Sequence, residues 1–167
     1  MTNSKRQIFY SFHYKPDAWR ASMVRNIGSI EGNRPAPDND WETIAKNDET
    51  IKRWIIDQMK YRSCTIVLVG KDTAKRKWID YEIKKSWSSG MGVVGIYIHG
   101  LKNQEGYITI RGGNPFKHLV HKKSGQKLSD IVRCYNPTGA NSKERYEWIS
   151  KNILAIAEEA IKIRSNY

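Results

Sequence analysis

The chain has 167 residues, and its 29 Lys and Arg outweigh 17 Asp and Glu to give a formal net charge of +12. That length fits one domain spanning residues 1–167, whose folding should remove roughly 70% of the unfolded surface from water without disulfides or a structural metal. Three Phe, nine Tyr and six Trp argue against disorder, and a mean hydropathy of −0.68 with no apolar run near 18 residues excludes a membrane-spanning helix.

The opening MTNSKRQIFY has no apolar stretch of signal-peptide length, so a cytoplasmic setting is expected. Residues 7–13, QIFYSFH, suit a buried strand. Pro16 and Asp17 then punctuate the chain, and Asp17 is the expected N-cap of a helix over about 18–29. Trp19, Met23, Val24 and Ile27 would form its apolar face. Residues 31–41, EGNRPAPDNDW, read as an irregular loop. Asp48 is the expected cap of a second helix, in which Ile51, Ile55 and Met59 recur every fourth residue.

CTIVLVG, residues 64–70, is apolar on both alternating faces, as a central parallel strand must be. A third helix follows over about 73–88, then a buried strand in VVGIYIHG (93–100). Residues 101–130 read as loops with short elements, and IVRCY (131–135) as a weaker strand. In the last helix Asn141 and Glu144 suit a capping box, while Tyr146, Ile149, Ile153, Ile156, Ala157, Ala160 and Ile161 line one face. Strands alternating with helices imply a three-layer α/β, flavodoxin-like domain with a mostly parallel sheet and a ligand cleft at the strands' carboxyl ends.

Several chemistries find no support. GxxxxGK[ST] and GxSxG are both missing, against P-loop kinases and serine acyl transfer. Cys64 and Cys134 are isolated, and His13, His99, His118 and His121 lack metal-ligand spacing. The positive charge invites phosphate binding. It is spread along the chain, however, with no run of five or six basic residues, so a nucleic-acid partner is not expected.

Two segments carry more. In Trp78-Ile-Asp-Tyr-Glu82-Ile83, Ile79, Ile83 and Trp87 form a buried stripe with Glu82 at its edge. A carboxylate there could bind a ribose diol or stabilise an oxocarbenium-like centre; the same spacing also suits a solvated pair with Lys85 or Arg76. In residues 9–26, an aromatic strand end (Phe12, His13, Tyr14) precedes Asp17, Arg20, Arg25 and Asn26. Rings there could stack on a base and Arg could grip a pyrophosphate, although a plain strand-to-helix junction has the same composition.

A first strand ending FYSFHY, a helix with Asp17, Arg20, Arg25 and Asn26, SCTIVLVGKDT and then WIDYEI follow one another in this chain. That succession, from about residue 6 to 100 with an echo in GGNPF (112–116) and the C-terminal helix, resembles the TIR-like domain of the bacterial Thoeris antiphage system. More broadly it resembles the Toll/interleukin-receptor superfamily. The resemblance implies a flavodoxin-like fold and cleavage of the nicotinamide–ribose bond of NAD, with NAD as substrate and no further cofactor. It implies a cyclic ADP-ribose isomer as a second messenger that activates an effector protein, a phage-derived trigger, and a homo-oligomer as one form of the active protein. Glu82 matches the catalytic Glu. Ser11 and Phe12 match the nucleotide-contacting strand end, with His13 stacking, Asp17 and Asn26 as polar neighbours, and Arg20 or Arg25 near the pyrophosphate. Trp78 orients the helix beside the substrate. No second strand or BB-loop is placed between the first helix and residue 48. A non-enzymatic adaptor that assembles through its surface is the alternative.

Overall fold

A computed structural model describes residues 5–34 and 40–167. The elements run β1 (Arg6–Ser11), α1 (Tyr14–Arg25), β2 (Ile30–Gly32), α2 (Asp48–Met59), β3 (Cys64–Val69), α3 (Lys77–Ser88), β4 (Gly92–Tyr97), β5 (Cys134–Tyr135) and α4 (Ser142–Arg164), with a 3-10 turn at Leu128–Asp130. All strands are parallel, in the order β2-β1-β3-β4-β5. This is the doubly wound α/β order of a flavodoxin-like sheet, and its direction reverses between β1 and β3.

Why these segments form the centre follows from alternation. Every residue of β3 and β4 is buried, because successive side chains point to opposite faces and helices cover both. Ile8, Tyr10, Cys64, Ile66, Leu68, Val94 and Ile96 face α1 and α4. Phe9, Val67, Val69 and Val93 face the layer holding α2, α3 and residues 116–132. Gly92 is required by close approach: a Cβ there would lie 2.6 Å from the Ile161 backbone nitrogen of α4. The expected α4 cap is present, with the Asn141 side chain accepting from the Glu144 N–H. Glu144 reaches back to the Ala140 N–H, one residue earlier than a strict capping box requires.

Several expected boundaries move. Helix α1 begins at Tyr14 with His13 as N-cap, so Asp17 does not cap it. Pro16 misleads because it sits inside the first turn, where its missing N–H has no intrahelical partner to lose. The cap of α2 is Asn47, which accepts from the Thr50 N–H, and Asp48 is the first helical residue. Part of the expected 31–41 loop is strand: β2 is three residues long and pairs with β1 at Arg6↔Ile30 through Ile8↔Gly32. Residues 35–39 of that loop lie outside the described residues. Helix α3 starts at Lys77 rather than near 73, and β5 keeps only two of the five residues expected.

The largest correction concerns α1's inward face. Trp19 is 48% exposed, while Asp17, Arg20, Ala21 and Val24 point inward. Arg20 is 1% exposed, and its guanidinium donates to the Asp17 carboxylate at 3.0 Å and to the carbonyls of Leu101 (2.7 Å), Tyr107 (3.0 Å) and Pro16 (3.2 Å). It therefore ties α1 to the 101–107 segment, and its donors are turned to the chain's own oxygens rather than to a pyrophosphate. Asp17 sits over the end of β3, where the absence of a Cβ at Gly70 makes room for its carboxylate. Burial pushes Asp17 up to about 6 despite Arg20 beside it.

Removing a buried charged donor leaves its partners unsatisfied. Arg20→Ala is accordingly expected to cost about 3–5 kcal/mol of folding stability, read as a fall in the urea midpoint. A midpoint within measurement error of wild type would contradict this placement.

Candidate active site

The sheet's switch point brings two unlike segments together. β1 ends at Ser11, which faces the α3 side with Phe9 because the two are two residues apart. After β3 the chain turns through Gly70–Thr73, with the Gly70 N–H held by the Thr73 hydroxyl at 2.8 Å, and α3 runs back across the sheet. Glu82, in the second turn of α3, points inward and is 2% exposed. The Ser11 hydroxyl donates to Glu82 Oε1 at 3.1 Å. One turn further along the same face, Ser86 bonds Thr65 of β3 at 2.6 Å. Two polar strand-to-helix contacts on one helix face thus fix where Glu82 stands.

The electrostatics of Glu82 are unusual for a glutamate. Among the described residues no Lys, Arg or His pairs with it. Desolvation pushes its carboxyl up to about 8, against the opposing pull of the Ser11 and Trp41 side chains. The burial thus favours the protonated acid at neutral pH. The surface pair with Lys85 or Arg76 does not form: Arg76 is instead engaged with Glu42 and the Asp72 carbonyl.

The site is closed. Phe9, Tyr10, Phe12, Asn33, Trp41, Gln58 and Glu82 enclose only about 10 Å³, room for about one water and no ring. Trp41, 8% exposed, packs with Phe9, Trp78, Ile51, Ile55 and Met59. Its segment is latched at the rim. Arg76 donates to both Glu42 oxygens at 2.9 Å, and His13 Nε2 lies 3.4 Å from Glu42. Burial, reinforced by Arg76, pulls the His13 imidazole below its ordinary range. His13 Nδ1 is buried without a partner.

The structure sorts the sequence-derived residues into three groups. Ser11, Phe12, His13 and Trp78 gather around Glu82 or its rim. Trp78 is buried in the aromatic cluster, edge-on to Tyr81 at 5.8 Å, as a packing element of α3. Asp17 and Arg20 form their own buried pair. Arg25 and Asn26 are at the far end of α1, about three turns from His13. Arg25 donates to the Gly32 carbonyl at 3.2 Å, and Asn26 is exposed at the helix C-cap. These two are not brought to Glu82.

Sequence reasoning missed Asn33 and Trp41. The Asn33 side chain accepts from the Tyr10 N–H (2.6 Å) and donates to the Tyr10 carbonyl (3.3 Å). It thereby continues the β1 ladder after β2 has stopped. A lone Trp in a segment otherwise rich in Asn, Asp and Pro is the one signal that could have flagged Trp41. Among the described residues no group of three or more His, Cys, Asp or Glu could hold a metal ion, and no helix is long and apolar enough to cross a membrane.

Comparison with known proteins adds to this geometry. The family described as Thoeris protein ThsB, TIR-like domain, matches residues 9–103. That span runs from β1 past β4 and includes Ser11, Asn33, Trp41 and Glu82. A protein of Bacillus cereus (strain MSX-D12), named as a candidate cyclic ADP-D-ribose synthase, ThsB1, is 32% identical over 163 residues. The alignment covers 94% of this chain and 84% of that protein.

A raised carboxyl makes a signed prediction. The folded chain holds the Glu82 proton up to about pH 8, whereas the unfolded chain releases it near the ordinary 4.5. Glu82 therefore erodes stability as pH rises from about 4.5 to about 8. Glu82→Gln removes that penalty, so it should be more stable than wild type at pH 9 by about 1–3 kcal/mol, with little difference at pH 4.5. Chemical denaturation at both pH values reads this directly, and a loss of stability at pH 9 would refute it.

Proposed function

The chain belongs to the Thoeris ThsB family of TIR-like proteins, and on that premise we propose that it is an NAD-cleaving cyclase. It splits the nicotinamide–ribose bond and closes the remainder into a cyclic ADP-ribose isomer, a second messenger for an effector protein in antiphage defence. NAD is the substrate, so no separate cofactor is required. The cytoplasm, where NAD is at hand, is the setting. The observation that carries this reading is Glu82: a buried carboxyl without a cationic partner among the described residues, held by Ser11 at the sheet's switch point.

The chemistry follows from that environment. A bound nicotinamide ring carries a positive charge on its glycosidic nitrogen, and that charge supplies the counter-ion the apo site lacks. While the site is open to admit the ring, Glu82 gives its proton to solvent water and becomes the carboxylate that binds the adjoining ribose hydroxyls. Heterolysis sends the bonding electron pair to the ring nitrogen, and neutral nicotinamide departs without needing a general acid. Positive charge moves to the anomeric carbon, where a desolvated carboxylate stabilises it far more than it would in water. A ribose hydroxyl or an adenine nitrogen of the same molecule attacks that carbon. Where the nucleophile is a hydroxyl, its proton returns to Glu82. Water in its place would give hydrolysis.

Substrate must displace Trp41 to reach Glu82, because the enclosed space is too small for any ring. The Arg76–Glu42–His13 latch is the rim contact that resists this. A half-exposed ion pair of this kind is worth about 0.2–1 kcal/mol, so Glu42→Ala should raise basal NAD turnover by up to about fivefold. Unchanged or reduced turnover would show that the latch does not limit access.

A non-enzymatic assembly module would need no access to Glu82, and the closed site is the observation in its favour. One comparison separates the two readings. Phage-challenged cells carrying wild type should accumulate an ADP-ribose isomer by mass spectrometry and lose NAD. Cells carrying Glu82→Gln should do neither, a drop of at least about 10²-fold. Full protection by Glu82→Gln without NAD loss would favour the adaptor. In the active assembly, kcat/KM should rise with pH up to about 8 as the free carboxyl ionises.

A further inference from the structure

Trp87 lies five residues beyond Glu82, which places it about 140° round α3 and about 7.5 Å along its axis. The two side chains serve different sides of the helix. Beside Trp87 a depression of about 550 Å³ opens between α3, the 119–128 segment and the end of α4. Its floor is apolar, built on Trp87, Leu119 and Leu128. Its rim is rich in cations: Lys84 and Lys85 come from α3, Lys122 and Lys123 from the facing segment, and Arg164 from α4, with Tyr81, Ser88 and the exposed Val120 between them. No lining residue is an Asp or Glu, and none of the four lysines pairs with a carboxylate among the described residues; Arg164 donates to the oxygen of Tyr167, the last residue, at 3.0 Å.

One buried polar group faces this space. His121 lines the depression and is 7% exposed. Its Nδ1 accepts the Trp87 indole N–H at 3.0 Å. An indole nitrogen only donates, so Nδ1 must carry the lone pair and the ring proton sits on Nε2. Among the described residues that Nε2–H has no acceptor. The ring is clamped edge-on between Trp87 (5.6 Å) and Tyr167 (5.3 Å), which fixes the direction of the free donor. Arg164 is held too, its guanidinium 4.6 Å from the Trp87 ring and its Nε donating to the Trp87 carbonyl at 2.9 Å.

We propose that this depression is a second ligand site, for a small organic polyanion with a flat apolar body, of which a nucleotide is the representative. Four lysines without a carboxylate partner among the described residues call for several negative charges. An apolar floor demands a ring, and the directed His121 N–H demands an acceptor on it. The volume lies within the range of small-ligand pockets, about 300–1,000 Å³. A rim of lysines is poor material for the core of a protein interface, from which Lys is depleted. The proposal is independent of the chemistry at Glu82.

The test is titration calorimetry of the full chain with ATP, AMP, adenosine and inorganic phosphate as probes. ATP should bind more tightly than AMP, with adenosine and phosphate each at least tenfold weaker than ATP. Lys84→Glu combined with Lys122→Glu, folded by circular dichroism, should weaken ATP at least tenfold. Reversing two exposed lysines of α4, Lys143→Glu with Lys151→Glu, should change it less than twofold, and Glu82→Gln should leave it intact. Three results would overturn the proposal: no ATP binding at millimolar concentration, equal weakening by both charge reversals, or loss of ATP binding in Glu82→Gln.

Discussion

A carboxyl group buried without a counter-charge among the described residues is the constraint around which the rest of the site is arranged. Desolvating an ionised glutamate is costly, so the folded protein keeps Glu82 neutral and sets the Ser11 hydroxyl against it. Both residues are delivered by the sheet. Ser11 is where it is because β1 ends there on the α3 face, and Glu82 because β3 launches α3 back across that end. The Thr65–Ser86 bond one turn on stops the helix from rolling. Trp41 completes the seal. In the proposed function a cationic substrate ring is the partner this acid lacks, and the Trp41 side chain covers the way to it.

Much of the fold was legible because burial writes itself into sequence. CTIVLVG and VVGIYI are apolar at nearly every position, as a strand covered on both faces tends to be, and both became central strands. The Ile51, Ile55, Met59 spacing and the α4 stripe also gave the right faces. What was illegible is what tertiary contact overrides. α1 turns Arg20 inward and Trp19 outward, against any hydrophobicity rule, because Arg20 finds four protein oxygens in the interior. β2 has only three residues, too few to show a period, and a side chain rather than backbone extends its pairing to Tyr10.

The same contrast runs through the site. WIDYEI placed Glu82 on the correct helix, but spacing alone could not tell a solvated glutamate from a buried one; the strand-end Ser11, 71 residues away, decides it. Arg25 and Asn26 looked close to the strand end in sequence, yet a twelve-residue helix carries them to the opposite end of the layer. The charge of +12 also divides by place. Arg20 is structural, Arg76 secures the Trp41 segment, and a group of five cations rings the depression beside Trp87.

The most direct test of the account is the titration of the Glu82 carboxyl itself, followed by carbon-detected NMR and assigned by its loss in Glu82→Gln. The apo protein should show a carboxyl titrating near pH 8, and a ligand bearing a nicotinamide cation should move that midpoint downward. A Glu82 carboxyl that titrates near 4.5 in the apo protein, or one that a bound nicotinamide cation leaves unmoved, would contradict it.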